Sequence, residues 1–310
     1  MQSTTAAPKA QAKDARRAPK KSASQRITRY MRREVPYLIM ILPAFLFFFL
    51  FVLLPLIEGI PISFTEWDGF SDVRPFVGFQ NYAKLFHDKF VYNAVGNTLE
   101  FTIYEVILCN VFGLLIAVWL KKACAHNNLF RTLIFMPHVI SLLLSSYMVR
   151  YIFNEFYNVT GVVNILAVPK TVIFGLALIA IWRDTGYCMV IYLAAIQGVD
   201  ESLYEVARIE GASRLTQFFK ITVPMIMPAI TANVTLLTAW GLKLYDYPMA
   251  ATGGGGPGRA SESVNIYIYN NIFPYFKAGY GQALAIVWVI VIFIITQCIQ
   301  GYLRRKEVEL

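Results

Sequence analysis

Six long apolar stretches alternate with polar segments along this chain, and this pattern predicts its architecture. Each stretch is long enough to cross the hydrocarbon core of a bilayer, about 30 Å thick, as an α-helix. We expect these membrane spans at residues 35–57, 98–120, 132–153, 171–196, 224–248 and 281–303. Alternating polar and apolar runs of about ten residues, which are typical of membrane β-barrels, do not occur. The pattern therefore predicts an all-α polytopic membrane protein with six transmembrane helices.

Composition and charge support this interpretation. The chain is 57% hydrophobic and only 15% charged, against about 25% charged residues in soluble domains. Its net charge of +9 does not indicate a nucleic-acid partner, because the basic residues cluster beside the predicted spans. They concentrate in residues 9–33, just after the second span, in the polar segment 197–224 and at residues 304–306. The positive-inside rule then places both termini and the polar segment in the cytoplasm.

The sequence divides into a tail and a membrane domain. Residues 1–33 are rich in Ala, Ser, Lys and Arg, with Asp14 as the only acid, and we expect this cytoplasmic tail to be disordered. Residues 34–310 form the expected transmembrane domain. The four cysteines do not suggest a disulfide framework, and the three histidines have no partners at metal-ligand spacing. We therefore expect no metal or cofactor in this chain.

The polar segment between the fourth and fifth spans carries the most informative pattern. Residues 205–211 read Glu-Val-Ala-Arg-Ile-Glu-Gly, with apolar positions at helical spacing, and Gly211 is expected to end that helix. A second short helix is expected at about residues 213–221, presenting Phe218 and Phe219. Pro224 fits the first turn of the fifth span, where its missing N–H costs nothing. The segment is either an ordinary amphipathic connector or a helical wedge that binds a partner.

The spacing Glu-x-Ala-x3-Gly-x9-Ile-x2-Pro resembles the EAA loop of ABC importer permeases. Val206 and Val223 depart from that pattern, since they replace its usual Ala and Leu. Three further segments, at residues 77–82, 130–132 and 252–257, resemble the carbohydrate-uptake branch, which contains the maltose and glycerol-phosphate transporters. The motif positions that this chain matches are Glu205, Ala207, Gly211, Ile221 and Pro224.

The resemblance, which covers about residues 35–305, implies a type I importer permease of the bacterial inner membrane. Such a permease pairs with a second permease, most commonly as a heterodimer, with two ATPase subunits and with an external solute-binding protein. The cargo is expected to be a carbohydrate, with an oligosaccharide favoured. ATP and Mg²⁺ would be bound by the ATPase, so this chain is not expected to be an enzyme. Docking on the ATPase is expected to involve Glu205, Ala207, Gly211, Ala212, Phe218, Ile221 and Pro224 within the loop 197–224.

Ionisable residues inside membrane spans are costly and tend to face a pathway or a partner. In the maltose transporter, one permease holds the sugar at fixed distances from the EAA glutamate. Carried over to this chain from Glu205, that register implies sugar contacts at Arg183, Asp184, Tyr187, Trp240, Leu244 and Asp246. The aromatic rings suit the apolar faces of sugars, although an interfacial aromatic belt is the alternative for Tyr245 and Tyr247. This chain could also be the partner permease, which makes no sugar contacts.

Two other classes of protein remain as alternatives. A secondary active transporter without an ATPase partner usually shows an internal repeat or matching broken spans, and we see no such repeat. A membrane enzyme would need converging His and Asp residues or paired carboxylates, whereas the acids here are scattered and none pairs with a His in the sequence. The glycine-rich segment 253–260 lacks the Lys and the Ser/Thr of a nucleotide-binding P-loop. We therefore expect no ATP binding by this chain.

Overall fold

The structure is a computed structural model that describes residues 23–122 and 124–307. In these ranges the chain is helical with connecting turns, apart from one isolated antiparallel bridge between Thr65 and Phe76. The chain divides into two compact units, with the boundary between Glu58 and Gly59.

The first unit contains α1 (Ala23–Phe48), followed by a π-helical turn and the start of α2 (Leu54–Ser63). Residues Val35–Ser63 form a candidate membrane span. Its described apolar side chains are widely exposed, as expected for a helix that lipid surrounds. Residues 23–33, which the sequence assigned to a disordered tail, belong to α1. The rest of the predicted tail, residues 1–22, lies outside the described residues.

The second unit holds the remaining helices, and three of them are long, unbroken membrane spans. Among its shorter helices, α8 and α9 form the polar loop. The elements are α3 (Gln80–Leu85), α4 (Lys89–Trp119), α5 (Ala125–Val139), α6 (Leu142–Thr160), α7 (Val172–Gln197), α8 (Glu201–Ile209), α9 (Arg214–Gln217), α10 (Val223–Met225), α11 (Met227–Leu242), α12 (Asp246–Thr252), α13 (Val264–Ile272) and α14 (Ala278–Arg304). The unbroken spans are α4, α7 and α14.

The third and fifth predicted spans are bent rather than straight. The third comprises α5 and α6, which meet at 100°, and the fifth has a 68° bend at Ile226. The described residues thus contain four continuous candidate spans, or six if each bent pair counts as one. The fifth span also ends earlier than predicted, at Leu242 rather than near residue 248. Pro228 explains the new start after Ile226, because proline suits the first turn of a helix.

Helix α7 lies at the centre of this unit and packs against α4, α5 and α11. Small residues allow the close approach. A Cβ added to Gly113 of α4 would lie 2.6 Å from the Cβ of Cys188, and one added to Gly186 would collide with the backbone of α5. Close packing through small residues is common between membrane helices. This packing fixes the middle of α7, where the candidate site lies.

Candidate functional site

The polar loop between α7 and α11 is a capped pair of short helices. The Oδ1 of Asp200 accepts a hydrogen bond from the backbone N of Ser202 at 2.9 Å, capping α8. Hydrogen bonds from the backbone and the side chain of Ser202 lower the pKa of Asp200. The resulting negative charge lies at the positive end of the helix dipole. Gly211 follows with φ +79°, a left-handed conformation that glycine adopts without strain. Ser213 caps α9 by accepting from the N of Thr216. The predicted bend after the first helix is therefore present.

The second helix differs from its prediction. Only Arg214–Gln217 is α-helical, and a π-helical turn follows at Phe218–Thr222, in which the N–H of Val223 donates to the carbonyl of Phe218. Pro224 lies inside a helix that continues to Met225, rather than at the start of the fifth span. Because proline has no N–H, it removes one α-helical hydrogen bond, and the π turn is a local adjustment to that loss.

The outer surface of this helix pair combines exposed apolar and charged side chains. Ile209 is 86% exposed, Leu215 72% and Phe219 65%. Glu205 is exposed and makes no ion pair with any residue that the structure describes. The other predicted docking residues are half-buried, apart from the exposed Gly211; they are Ala207, Ala212, Phe218, Ile221 and Pro224. An exposed patch that mixes apolar and charged groups is typical of a protein interaction surface.

The loop is tied to the ends of the long helices. The hydroxyls of Tyr204 and Thr222 lie 3.0 Å apart and form a hydrogen bond. The ammonium of Lys121, just beyond the C-terminus of α4, lies 5.4 Å from the centre of the Tyr204 ring. Inside the loop, the side-chain amide of Gln217 donates to the carbonyl of Ala212 at 2.9 Å. A force on the loop would therefore reach α4 and the helix leading into α11.

A second group of polar residues lies buried near the middle of α7, and we call it the Asp184 cluster (His138, Arg183, Asp184 and Tyr247). One carboxylate oxygen of Asp184 accepts from Nη1 of Arg183 at 2.5 Å and lies 2.9 Å from Nδ1 of His138. The other accepts from the hydroxyl of Tyr247 at 2.7 Å. The cluster thus joins α5, α7 and α12.

The cluster corrects one expectation from the sequence and adds the burial of two other residues. His138 does pair with an acid, because the fold brings it to Asp184 across 46 residues. Tyr247 is not part of an interfacial belt, since only 6% of it is exposed. Asp184 is enclosed, with 2% of its side chain exposed, so its carboxylate could contact a sugar only if the cluster opened. A buried charge needs such partners, because its desolvation is otherwise costly.

Beside the cluster, three aromatic rings form a stack. The ring of His138 lies 5.0 Å from that of Tyr187, and Tyr187 lies 5.3 Å from Trp240. Trp240 is 39% exposed and Tyr187 is half-buried, so the stack has an accessible side. The two predicted aromatic contacts are therefore adjacent, and His138 joins them. The available signal for His138 was its position as an ionisable residue inside the predicted span 132–153.

The remaining predicted pathway residues do not join this group. Leu244 is buried at 3% exposure and packs in the core, whereas Asp246 is exposed at the start of α12. Glu105 of α4 is buried, and its Oε2 has no hydrogen-bond partner among the described residues. A Cβ added to Gly241 would lie 2.8 Å from that oxygen.

The helices define a polytopic α-helical membrane protein that carries two distinct polar regions. The family model described as "Binding-protein-dependent transport system inner membrane component" matches residues 109–308. This chain belongs to that family, which is a family of transport proteins.

Relatives and solved structures agree with this assignment. The chain is 32% identical to the probable ABC transporter permease protein YurN of Bacillus subtilis, over 83% of this chain and 91% of that protein. It is 32% identical to the lactose transport system permease LacF of Rhizobium radiobacter, over 86% and 92%. A bacterial ABC transporter that imports the acidic polysaccharide alginate contains a chain with the same fold. The TM-score is 0.76 at 22% identity, covering 90% of this chain and 99% of that one.

Proposed function

We propose that this chain is a permease subunit of a carbohydrate importer. A solute-binding protein outside would deliver the cargo, and a separate ATPase inside would drive transport. The stack of Tyr187, His138 and Trp240 carries this proposal, because accessible aromatic faces suit the apolar faces of sugar rings. Relatives named for lactose and for starch degradation products support the same class of cargo. We favour an oligosaccharide.

The sugar would contact the open sides of Tyr187 and Trp240. Arg183 is half-buried and could donate a hydrogen bond from the same surface, while Asp246 would meet the cargo at the exposed start of α12. Asp184 and Leu244, which are enclosed, would shape this surface from behind rather than touch the sugar in the state seen here. Weak contacts of this kind select a polyhydroxylated solute and still let it leave.

A complete importer would add a second permease, two ATPase subunits that bind ATP and Mg²⁺, and the solute-binding protein. One related alginate importer was solved in complex with a pentasaccharide-bound periplasmic protein, which supports this kind of assembly. Both termini and the α8–α9 pair would lie in the cytoplasm, as the distribution of basic residues indicates.

Coupling would begin at the exposed surface of α8 and α9. ATP-driven closure of the ATPase would move the loop, and its contacts with the end of α4 and with Thr222 would pass that movement to the spans. Because α11 carries Trp240, rocking of these helices would move one ring of the stack relative to α7. Rigid-body rocking of this kind is a common switching mechanism.

The test is uptake by the purified assembly, reconstituted in liposomes with its binding protein and supplied with ATP or a non-hydrolysable analogue. We expect labelled maltotriose, lactose or trehalose to accumulate only with hydrolysable ATP. Accumulation without ATP that follows a proton or sodium gradient would contradict the proposal and favour the secondary transporter.

A further inference from the structure

A cavity of about 650 Å³ shares no lining residue with either region described above. It forms where the turn after α2, helices α3 and α13, and the first turn of α14 meet the start of α4. The loop contact of Lys121 lies at the other end of α4. At 1.5 Å per residue, the 31 residues of α4 separate the two ends by about 45 Å. The cavity is thus on the side of the membrane opposite α8 and α9.

Hydrogen bonds within the chain hold the walls of this cavity in place. One carboxylate oxygen of Asp88 accepts from the hydroxyls of Tyr267 and Tyr280, each at 2.6 Å. The other caps α4 through the N–H of Phe90 at 2.9 Å. On the opposite wall, the side-chain amide of Asn81 donates to the carbonyls of Ser63 and Thr65. Small-molecule sites are usually pre-formed in this way, and their volumes are roughly 300–1,000 Å³.

The carboxyl group of Asp88 is ionised at neutral pH. Burial raises the pKa of this carboxyl, but the hydrogen bonds from Tyr267, Tyr280 and Phe90 outweigh it, and the pKa lies below its usual 3.8. Burial and the neighbouring Asp88 raise the pKa of Tyr267 to about 12. The wall therefore presents two neutral phenols around one carboxylate at neutral pH.

The groups that line the cavity offer both donors and acceptors. Lys277 is exposed, and its ammonium makes no ion pair within residues 23–122 and 124–307. Lys84 has only a distant partner, Glu66, at 3.9 Å. The lining contains two lysines, His87 and three acids, so its charges nearly balance and do not select a strongly charged ligand. The rings of Trp67 and of Phe276, which is 55% exposed, add aromatic surface. Mixed donors and acceptors beside aromatic rings match a neutral, polyhydroxylated ring.

We propose that this cavity is a second saccharide site, which holds one end of the cargo outside the membrane before it reaches the Tyr187–Trp240 stack. The proposal rests on the proposed function, since it assumes a carbohydrate cargo. Tyr247 of the Asp184 cluster packs against Phe101, 13 residues beyond Asp88 on α4, so about 20 Å of helix separates the cavity from the cluster beside the stack. A side chain of the solute-binding protein is the competing occupant.

Labelling of a single cysteine separates these occupants. Two single-cysteine variants are made in a background whose four native cysteines are replaced. Lys277→Cys places a thiol on the cavity wall, and Lys84→Cys, in a separate variant, places it on α3. The complete importer in nanodiscs is treated with an impermeant maleimide, with or without maltotriose, lactose or trehalose. Lys170→Cys provides the matched control, since Lys170 is also exposed but lies outside the cavity.

We expect a saccharide that the importer takes up to slow labelling at both cavity positions in the absence of the binding protein. Near saturation the rate should fall at least about threefold, because an occupied site is withdrawn from reaction. Labelling at residue 170 should not change. Protection only by sugar-free binding protein would overturn the proposal and identify a docking face. Unchanged labelling at both cavity positions with a sugar that is taken up would also overturn it. Failure to take up any of the three sugars, in contrast, would count against the proposed function itself.

Discussion

The α8–α9 pair and the Asp184 cluster use similar residues in opposite ways. In the loop, Glu205 is exposed without an ion pair among the described residues, and Ile209 is 86% exposed beside it. In the cluster, Asp184 is 2% exposed, and both its oxygens are hydrogen-bonded. Both oxygens of Asp184 are thus bound to partners in this chain, whereas Glu205 and Ile209 remain exposed. A change in the loop should therefore affect contacts with another subunit, and a change in the cluster should first affect the fold.

This difference gives the two regions separate roles in transport. The cluster ties α5 and α12 to the centre of α7, directly beside the stacked rings. Through Tyr204, the loop instead contacts Lys121, beyond the end of α4, and Thr222, which precedes α11. In the proposed mechanism, the cluster would set the shape of the pathway, and the loop would receive the force of the ATPase.

The largest effect should follow loss of the buried carboxylate. Asp184→Ala removes the carboxylate partner of Arg183, whose side chain is 15% exposed, and breaking a buried ion pair costs about 3–5 kcal/mol. We expect a sharp drop in the amount of protein in the membrane and in its melting temperature in detergent. Asp246→Ala is the matched control, because that acid is exposed, and it should change stability by no more than about 0.5 kcal/mol. Equal losses of stability in both variants would contradict the assignment of Asp184 as the buried, structural acid.

A smaller effect on structure, but a specific one on function, should follow a change at Gly211. With φ +79°, a Val there would be strained by about 1–2 kcal/mol, although a Cβ would meet no atom within 4 Å. We expect Gly211→Val to remain in the membrane while ATP hydrolysis proceeds without uptake. Gly211→Asn should retain coupling, because Asn tolerates this conformation. Normal uptake by the Val variant would show that coupling does not depend on the left-handed conformation at Gly211.

The aromatic stack should respond in transport rather than in assembly. Stacking contributes about 0.5–1.5 kcal/mol, so Trp240→Ala should reduce the uptake rate by about two- to tenfold. Trp182→Ala is the control, because Trp182 is also exposed on a span but forms no ring pair in the described part of the chain. If Tyr187→Ala and Trp240→Ala both leave uptake unchanged, the sugar contacts belong to the partner permease.

The smallest effect concerns Asp88, on the far side from the loop. Asn can still cap α4, so Asp88→Asn removes mainly the charge, and we expect a loss of about 0.5 kcal/mol at pH 7. The folded pKa is lowered, so the advantage of Asp is present above its usual 3.8 and disappears as the pH falls through the folded value. Melting curves at pH 7 and pH 3 check this. A difference that grows on acidification would contradict the assigned hydrogen bonds.

Local patterns were sufficient to predict the elements that depend on nearby residues. The fourth span was expected at 171–196 and is found at Val172–Gln197, and Gly211 ends its helix in the expected conformation. The bend between α5 and α6 was not visible, because both halves are apolar. The pairing of His138 with Asp184 was not visible either, because 46 residues separate them and tertiary packing alone brings them together. The cavity at Asp88 likewise draws on segments that are far apart in sequence.

The most direct test of the central claim is photo-crosslinking from Ile209 in native membranes. A photoreactive amino acid at this position replaces the most exposed apolar side chain of the loop. The account predicts a major product that joins this chain to an ATP-binding subunit, and no such product from a probe at Lys170. Crosslinks from residue 209 to lipid alone, or to the ATPase equally from residue 170, would contradict the claim that α8 and α9 form the coupling surface.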